Sequence, residues 1–312
     1  MSLSPQMRFP PPLHVGSRVA LVAPAGPLRG EADLERSVAN ARSLGWQPVA
    51  GDYVLERDGY LAGSDANRAA DLNRFARDPD IEAIWCIRGG YGAMRILEQI
   101  DYGAWRAQPK TLIGYSDVTA LHAAIGQRAE LVTFHGPTAR AELSEMTRRS
   151  FLDAVARENG DAPPLGIHAE GATTLRAGAA HGRLVGGNLA LVAALAGTPY
   201  AWNLDGAIVV LEDVTESVYR IDRMLMQLWL SGGLRRLAGL VFGQFTEIPD
   251  DSANAEWPLE RVLRETAERC GVPTIANFPL GHIHDQVTLP FGAPAHLDAD
   301  RRTLTISNII TQ

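Results

Sequence analysis

Four short segments of this 312-residue chain carry residue types that can move a proton or hold an anion. Gly114-Tyr115-Ser116-Asp117 joins an apolar strand, Thr111–Ile113, to a helical pattern over Val118–Gln127. A strand running straight into a helix puts the Ser116 hydroxyl on a tight elbow at the carboxyl edge of a sheet, where open α/β sheets bind ligands. A helix cap is the competing reading, because serine and aspartate commonly cap helices, and Val118 stands where a lipase-type elbow has its second glycine. Arg88-Gly89-Gly90-Tyr91-Gly92 follows the preceding strand to the same edge. It reads either as a tight turn or as a loop whose backbone approaches an oxyanion, with the Gly90 and Asp117 N–H groups as donors. Leu211-Glu212-Asp213 closes the apolar run Ala207–Leu211, setting two carboxylates at a strand end, where acids also occur for solubility alone. Gly281-His282-Ile283-His284-Asp285 lies in a loop, where site histidines tend to be found. Its His-x-His-Asp pattern lacks a third and fourth ligand at recognisable spacing, so no metal is expected. Among the remaining histidines, His135 in Phe134-His135-Gly136-Pro137 is the one kept as a substrate contact.

The elements that must position these residues alternate along the first half. Strands are expected at Arg18–Ala23, Val49–Val54, Glu82–Ile87, Thr111–Ile113 and Leu131–Phe134, with helices at Glu31–Leu44, Asp65–Arg77, Ala93–Ile100 and Val118–Gln127 between them. That alternation is the signature of parallel βαβ units, and an open doubly wound sheet over residues 1–158 is the simplest architecture. The Gly-, Pro- and Ala-rich stretch 159–180 reads as a linker. A second domain, 181–312, then shows strands at Arg183–Val185, Ala207–Leu211 and Leu240–Phe242 and helices at Asn188–Ala196, Val218–Leu230 and Glu256–Arg269. Short strands at Val287–Pro290, Ala295–Leu297 and Leu304–Ile306 end it.

Composition limits the partners. The chain is 46% hydrophobic and 21% charged with a formal charge of −7, and no basic cluster or acidic tail stands out, so neither a nucleic acid nor a membrane surface is expected as partner. A small-molecule or peptide substrate is. Two cysteines, Cys86 and Cys270, imply no disulfide framework and a reducing compartment. The proline-rich start lacks the apolar stretch of a signal peptide, and no run nears the roughly 20 apolar residues of a membrane span, so the expected location is the cytoplasm.

Taken in order, these segments resemble the LD-carboxypeptidase family, serine peptidases that trim the murein tetrapeptide. The matching segments are Ile87-Arg88-Gly89-Gly90-Tyr91-Gly92-Ala93, Gly114-Tyr115-Ser116-Asp117-Val118-Thr119, Gly186-Gly187-Asn188-Leu189, Leu211-Glu212-Asp213 with Tyr219-Arg220-Ile221-Asp222-Arg223-Met224, and Gly281-His282 with Thr288-Leu289-Pro290. The resemblance implies Ser116 as nucleophile, His282 as base, Glu212 as the orienting acid, and the Gly90 and Asp117 amides as oxyanion hole. It also implies an N-terminal flavodoxin-like domain, a smaller mixed second domain with β character, a homodimer, and no cofactor. One departure is visible: Ala25 stands where the family's first turn usually has serine. The substrate implied is a murein tetrapeptide that loses its terminal D-alanine. Its carboxylate needs a cation or amide donor, for which Arg88, Arg140 and Arg220 are candidates, and Tyr91, His135 and Asn188 complete the expected substrate contacts. A self-immunity type peptidase acting on peptidyl-adenylates and a non-catalytic small-molecule binding protein are the alternatives.

Overall fold

A computed structural model describes residues 7–156, 164–249 and 256–307. Five parallel strands, β1 (Arg18–Val22), β2 (Gln47–Ala50), β3 (Ala83–Cys86), β4 (Thr111–Gly114) and β5 (Thr133–His135), lie in the order 2-1-3-4-5. That is the flavodoxin-like order, whose switch point between β1 and β3 opens a crevice at the carboxyl ends of the strands. β3, β4 and β5 are buried along their whole length, as strands covered on both faces must be. Helices α1 (Glu31–Ser43), α2 (Asp65–Arg77) and α4 (Thr119–Ala129) pack on the strands. The short α3 (Tyr102–Ala107) and a longer α5 (Glu145–Val155) add to them. α5 begins at Ser144, whose side chain accepts from the Thr147 N–H, and buries Thr147, Phe151 and Val155 at helical spacing. Its Phe151 meets Trp46 and Trp85 at ring centroid distances of 5.7 and 5.2 Å, which fixes the helix to the sheet.

The second sheet has eight strands: β6 (Leu165–His168), β7 (Thr173–Arg176), β8 (Ala179–Asn188), β9 (Ile208–Val214), β10 (Gly239–Thr246), β11 (Thr274–Ala276), β13 (Pro294–Asp298) and β14 (Thr303–Ile306), ordered 6-14-13-8-9-10-11-7. β8 to β11 are parallel, with α6 (Leu189–Leu195), α7 (Val218–Leu230) and the helix Leu259–Cys270 as crossovers. The flanking pairs are antiparallel. The sheet is mixed, as expected.

Three expectations are corrected. The second strand is Gln47–Ala50 and not Val49–Val54, because the Asp71 carboxylate of α2 accepts from the Asp52 and Tyr53 amides at 2.9 and 3.1 Å and turns the chain there. The stretch 159–180 is in large part sheet: β6 and β7 close opposite edges, and half-exposed edge strands give little alternation to read. Residues 159–163 of that stretch lie outside the described residues. The final correction concerns Val287–Pro290, expected in the second domain. As β12 (Leu289–Phe291) it pairs antiparallel with β5 and completes the first sheet. α3 and α5 were not expected from the sequence, although Ser144 and the 147-151-155 spacing signal the second of them.

Candidate active site

Ser116 sits on the elbow between β4 and α4 with φ of 64°, a left-handed conformation that a residue with a side chain adopts at a cost of roughly 1–3 kcal/mol. The surroundings hold it there. The Gly114 carbonyl just before the elbow accepts from the Gly136 N–H at 3.1 Å and from His122 Nε2 at 2.8 Å. Burial lowers the His122 pKa to about 4, so the ring is neutral and carries its proton on Nε2. Across the crevice the glycine loop comes so close that a Cβ on Gly89 would lie 2.8 Å from Ser116 Cβ and 3.2 Å from the Asp117 nitrogen. Only glycine fits at 89.

The Asp117 side chain ties the same loop to the elbow. It is buried and accepts from the Ala93 N–H at 2.7 Å and from the Gly92 N–H, while Arg68 contributes its charge from α2. Burial nevertheless pushes its pKa up to about 6. Arg68 is itself buried, donates to the carbonyls of Pro24 and Gly92, and pairs with Asp65. Three loops at the carboxyl edge are therefore joined by one carboxylate and one guanidinium. Among the described residues no hydrogen bond takes up the Gly90 or Asp117 amide.

The second sheet brings charge. Glu212 on β9 is completely buried, and its Oε2 lies 2.9 Å from His282 Nδ1. Room for the carboxylate exists because Gly243 and Gly281 lack side chains: a Cβ on either would come 3.1 Å from Glu212 Cβ or 3.0 Å from its Oε2. The His282 ring packs on Tyr115, the residue before Ser116, with centroids 4.8 Å apart. Its loop is held on the first sheet's side by α5: Gln286 donates its N–H to Thr147 Oγ1 at 2.9 Å, Thr147 donates to the His284 carbonyl at 3.1 Å, and the Thr288 N–H reaches Ser150 Oγ at 3.0 Å. No hydrogen bond joins Ser116 to His282 among the described residues, and such contacts often tighten only when substrate binds.

Of the other expected contacts, two move inward. His135 is fully buried, between Tyr115 and Phe291 at centroid distances of 5.9 and 5.2 Å, and burial, with the nearby imidazoles of His122 and His282, drives its pKa well down. It offers no face to a ligand. Asn188 is 4% exposed and fully engaged: it caps α6, donates from Nδ2 to Asp213 at 2.8 Å, and its N–H reaches Thr119 Oγ1 at 3.0 Å. It ties the second sheet to α4. Arg220 lies on the outer face of α7 beside Glu216 and Tyr219. Tyr91 is 52% exposed and meets Tyr60, 67% exposed, edge to face at 5.5 Å. Arg88 is half-buried and donates to the Pro27 carbonyl at 2.6 Å. Sequence reasoning missed Tyr115 as the rest for His282, the Asp117 carboxylate, and the α5 tether; only the last left a signal, in the cap and spacing of that helix. Among the described residues no group of three or more histidine, cysteine, aspartate or glutamate side chains could hold a metal ion, and no helix is long and apolar enough to cross a membrane.

The fold and cleft define a two-sheet α/β protein with a strained hydroxyl on one wall and a buried carboxylate–imidazole pair on the other. Residues 19–136 match the LD-carboxypeptidase N-terminal domain and residues 181–297 the LD-carboxypeptidase C-terminal domain, so the chain belongs to the LD-carboxypeptidase family. A putative carboxypeptidase of Streptomyces coelicolor is 41% identical over 95% of both chains, and the murein tetrapeptide carboxypeptidase of Pseudomonas aeruginosa is 35% identical over 92% of this chain and 95% of that one. The microcin C7 self-immunity protein of Escherichia coli is 28% identical over 95% and 94%. Among solved structures, muramoyltetrapeptide carboxypeptidase from Oxalobacter formigenes superposes with a TM-score of 0.84 at 30% identity, covering 95% of this chain and all of that one.

Proposed function

We propose that this protein is a serine-type LD-carboxypeptidase that releases terminal D-alanine from murein tetrapeptides, acting in the cytoplasm on recycled wall fragments. The observation that carries the proposal is the 2.9 Å contact between His282 Nδ1 and the fully buried Glu212, set against Tyr115 and hence beside Ser116. A serine hydroxyl is a poor nucleophile near neutral pH, so a neutral imidazole must take its proton as the new C–O bond forms. With Glu212 accepting from Nδ1–H, the free nitrogen of His282 is Nε2, which is the tautomer this step needs. The Gly90 and Asp117 amides hold the oxyanion. Collapse of the tetrahedral adduct breaks the amide bond, and the imidazolium returns the proton to the leaving amine of D-alanine. Water then repeats the sequence on the acyl-enzyme and frees the tripeptide. Assembly as a homodimer belongs to the same proposal, and light scattering tests it.

The decisive assay offers L-Ala-D-Glu-diaminopimelate-D-Ala, its diastereomer ending in L-Ala, and a peptidyl-adenylate, and follows products by mass spectrometry. Inverting one centre swings the carboxylate or the methyl out of register, so release of D-alanine from the first peptide only is expected. Ser116→Ala should abolish it, together with labelling by a fluorophosphonate. The exposed Tyr60–Tyr91 pair beside the glycine loop favours a second reading, a peptidase on peptidyl-adenylates, because a nucleobase can stack there. Cleavage of the adenylate alone would select it, and cleavage of none would favour a binding protein.

A further inference from the structure

Beside the elbow, guanidinium groups gather with too few carboxylates to match them. Burial lowers the Arg88 pKa, and Arg140, Arg29 and Arg57 push the same way, with Asp33 the opposing charge. Asp33 is already shared: one oxygen lies 3.7 Å from Arg140 Nη1, and the other accepts the Arg29 N–H at 3.0 Å. The Nε atoms of Arg88 and Arg140 are buried and have no hydrogen-bond partner. A half-buried surplus of like charge is costly until an anion joins it.

The cluster borders the reacting centre. A Cβ on Gly90 would lie 3.6 Å from Arg88 Nη2, and one on Gly26 would lie 3.5 Å from Arg88 Cζ. Arg140 is anchored over the end of β3, where the Ala139 N–H donates to the Cys86 carbonyl at 2.9 Å and the Arg140 N–H to Ile87 at 3.4 Å. Its charge reaches Tyr115, the residue before the nucleophile. If a scissile carbonyl rests on the Gly90 amide, the carboxylate of a single residue beyond it is about one Cα spacing away, ~3.8 Å. Arg220 lies elsewhere, paired on the outer face of α7 with Glu216 at 3.7 Å.

We infer that Arg88 and Arg140 form the subsite that takes the C-terminal carboxylate of the substrate, an assignment that rests on the hydrolase reading above. Guanidinium forks match a planar carboxylate and hold it by charge-assisted hydrogen bonds. Such a subsite makes the cleft an exopeptidase site, because a capped or longer peptide leaves the surplus charge unmatched.

The test compares kcat/KM for L-Ala-D-Glu-diaminopimelate-D-Ala and for the same peptide ending in a carboxamide. The wild type should prefer the acid by roughly 10- to 100-fold, the worth of hydrogen bonds to a charged group. In Arg140→Gln and Arg88→Gln that ratio should fall toward one, and Arg140→Lys should restore part of it, with thermal unfolding confirming that each variant is folded. If a variant does not fold, the wild-type ratio alone decides. Equal hydrolysis of acid and amide by the wild type, or an unchanged ratio in both folded glutamine variants, overturns the subsite and leaves the hydrolase reading standing. No cleavage of either peptide by a wild type that still labels at Ser116 overturns the substrate reading and the subsite together.

Discussion

The first sheet contributes mainly backbone to the cleft, whereas the second contributes side-chain charge. On the first wall the working parts are a serine held at φ of 64°, two unengaged amides, and a glycine that leaves no room for a methyl group. On the second wall they are a buried glutamate and an imidazole, held 2.9 Å apart in space that two other glycines leave open. The difference sets how each wall can fail. A wall made of backbone is damaged by adding atoms, because added bulk moves amides that nothing else can replace. A wall made of charge is damaged by removing them, because the partner left behind is buried and unpaired.

The largest losses are expected at the residues that join the two walls. Ser116→Ala and His282→Ala should each lower kcat by roughly 10³-fold or more, and the double variant should be little worse than either, since the two act as one unit. Additive losses measured by single-turnover kinetics would show that they do not. His284→Ala, which alters an exposed side chain paired with Asp285 at 3.0 Å, should leave kcat near wild type. Next in size is Gly89→Ala, the smallest addition to the backbone wall. Its Cβ would meet Ser116 Cβ at 2.8 Å, so kcat should fall by about 10²-fold with a smaller change in KM, as for a lost oxyanion donor. A variant with normal kcat would mean that the loop yields without disturbing the amides.

Asp117→Asn tests whether the backbone wall depends on one charge. The ionised carboxylate accepts from the Ala93 and Gly92 amides of the glycine loop, and its pKa of about 6 places that ionisation near neutral pH. The groups facing it are Arg68 from α2 and the Cys86 thiol from β3. An asparagine can accept through one atom only. We expect a fall of about tenfold in kcat, short of the ~10²-fold that a 1 Å misplacement can cost. The fall in kcat below pH 6 should also become shallower, because one titration is gone. An unchanged profile would make Asp117 a bystander.

Much of the first wall was legible in the sequence because parallel βαβ units announce themselves by alternation, and a glycine turn or a serine after a strand has few places to go. The pairing of Glu212 with His282 came from the resemblance, since 69 intervening residues carry no local signal for a contact of this kind. What the sequence hid is what depends on distant packing. β12 looks like a neighbour of β13, three residues on, yet it joins β5. β6 and β7 are half-exposed edges without alternation. His135 and Asn188 sit in segments that match the family, and only tertiary packing shows that both are enclosed.

The smallest expected effect comes from the buried carboxylate that the second wall has in place of Asp117. Asp213 accepts from the Asn188 side chain and from the Ala190 and Val214 amides at 2.8, 2.9 and 2.9 Å, and burial pushes its pKa from 3.8 up to about 6, much as at Asp117. It fixes the start of α6, however, and touches neither the elbow nor the glycine loop. The native state therefore holds a proton between about pH 4 and pH 6 that the unfolded chain has already released, so this group's contribution to stability falls as pH rises through that window and levels off above it. Asp213→Asn has no proton to lose. Its unfolding free energy in urea, compared with wild type at pH 4.5 and pH 7, should improve relative to wild type as pH rises, while kcat stays within about twofold because the elbow and the glycine loop are untouched. A loss of kcat equal to that of Asp117→Asn would erase the distinction between a carboxylate that holds the glycine loop and one that holds a helix.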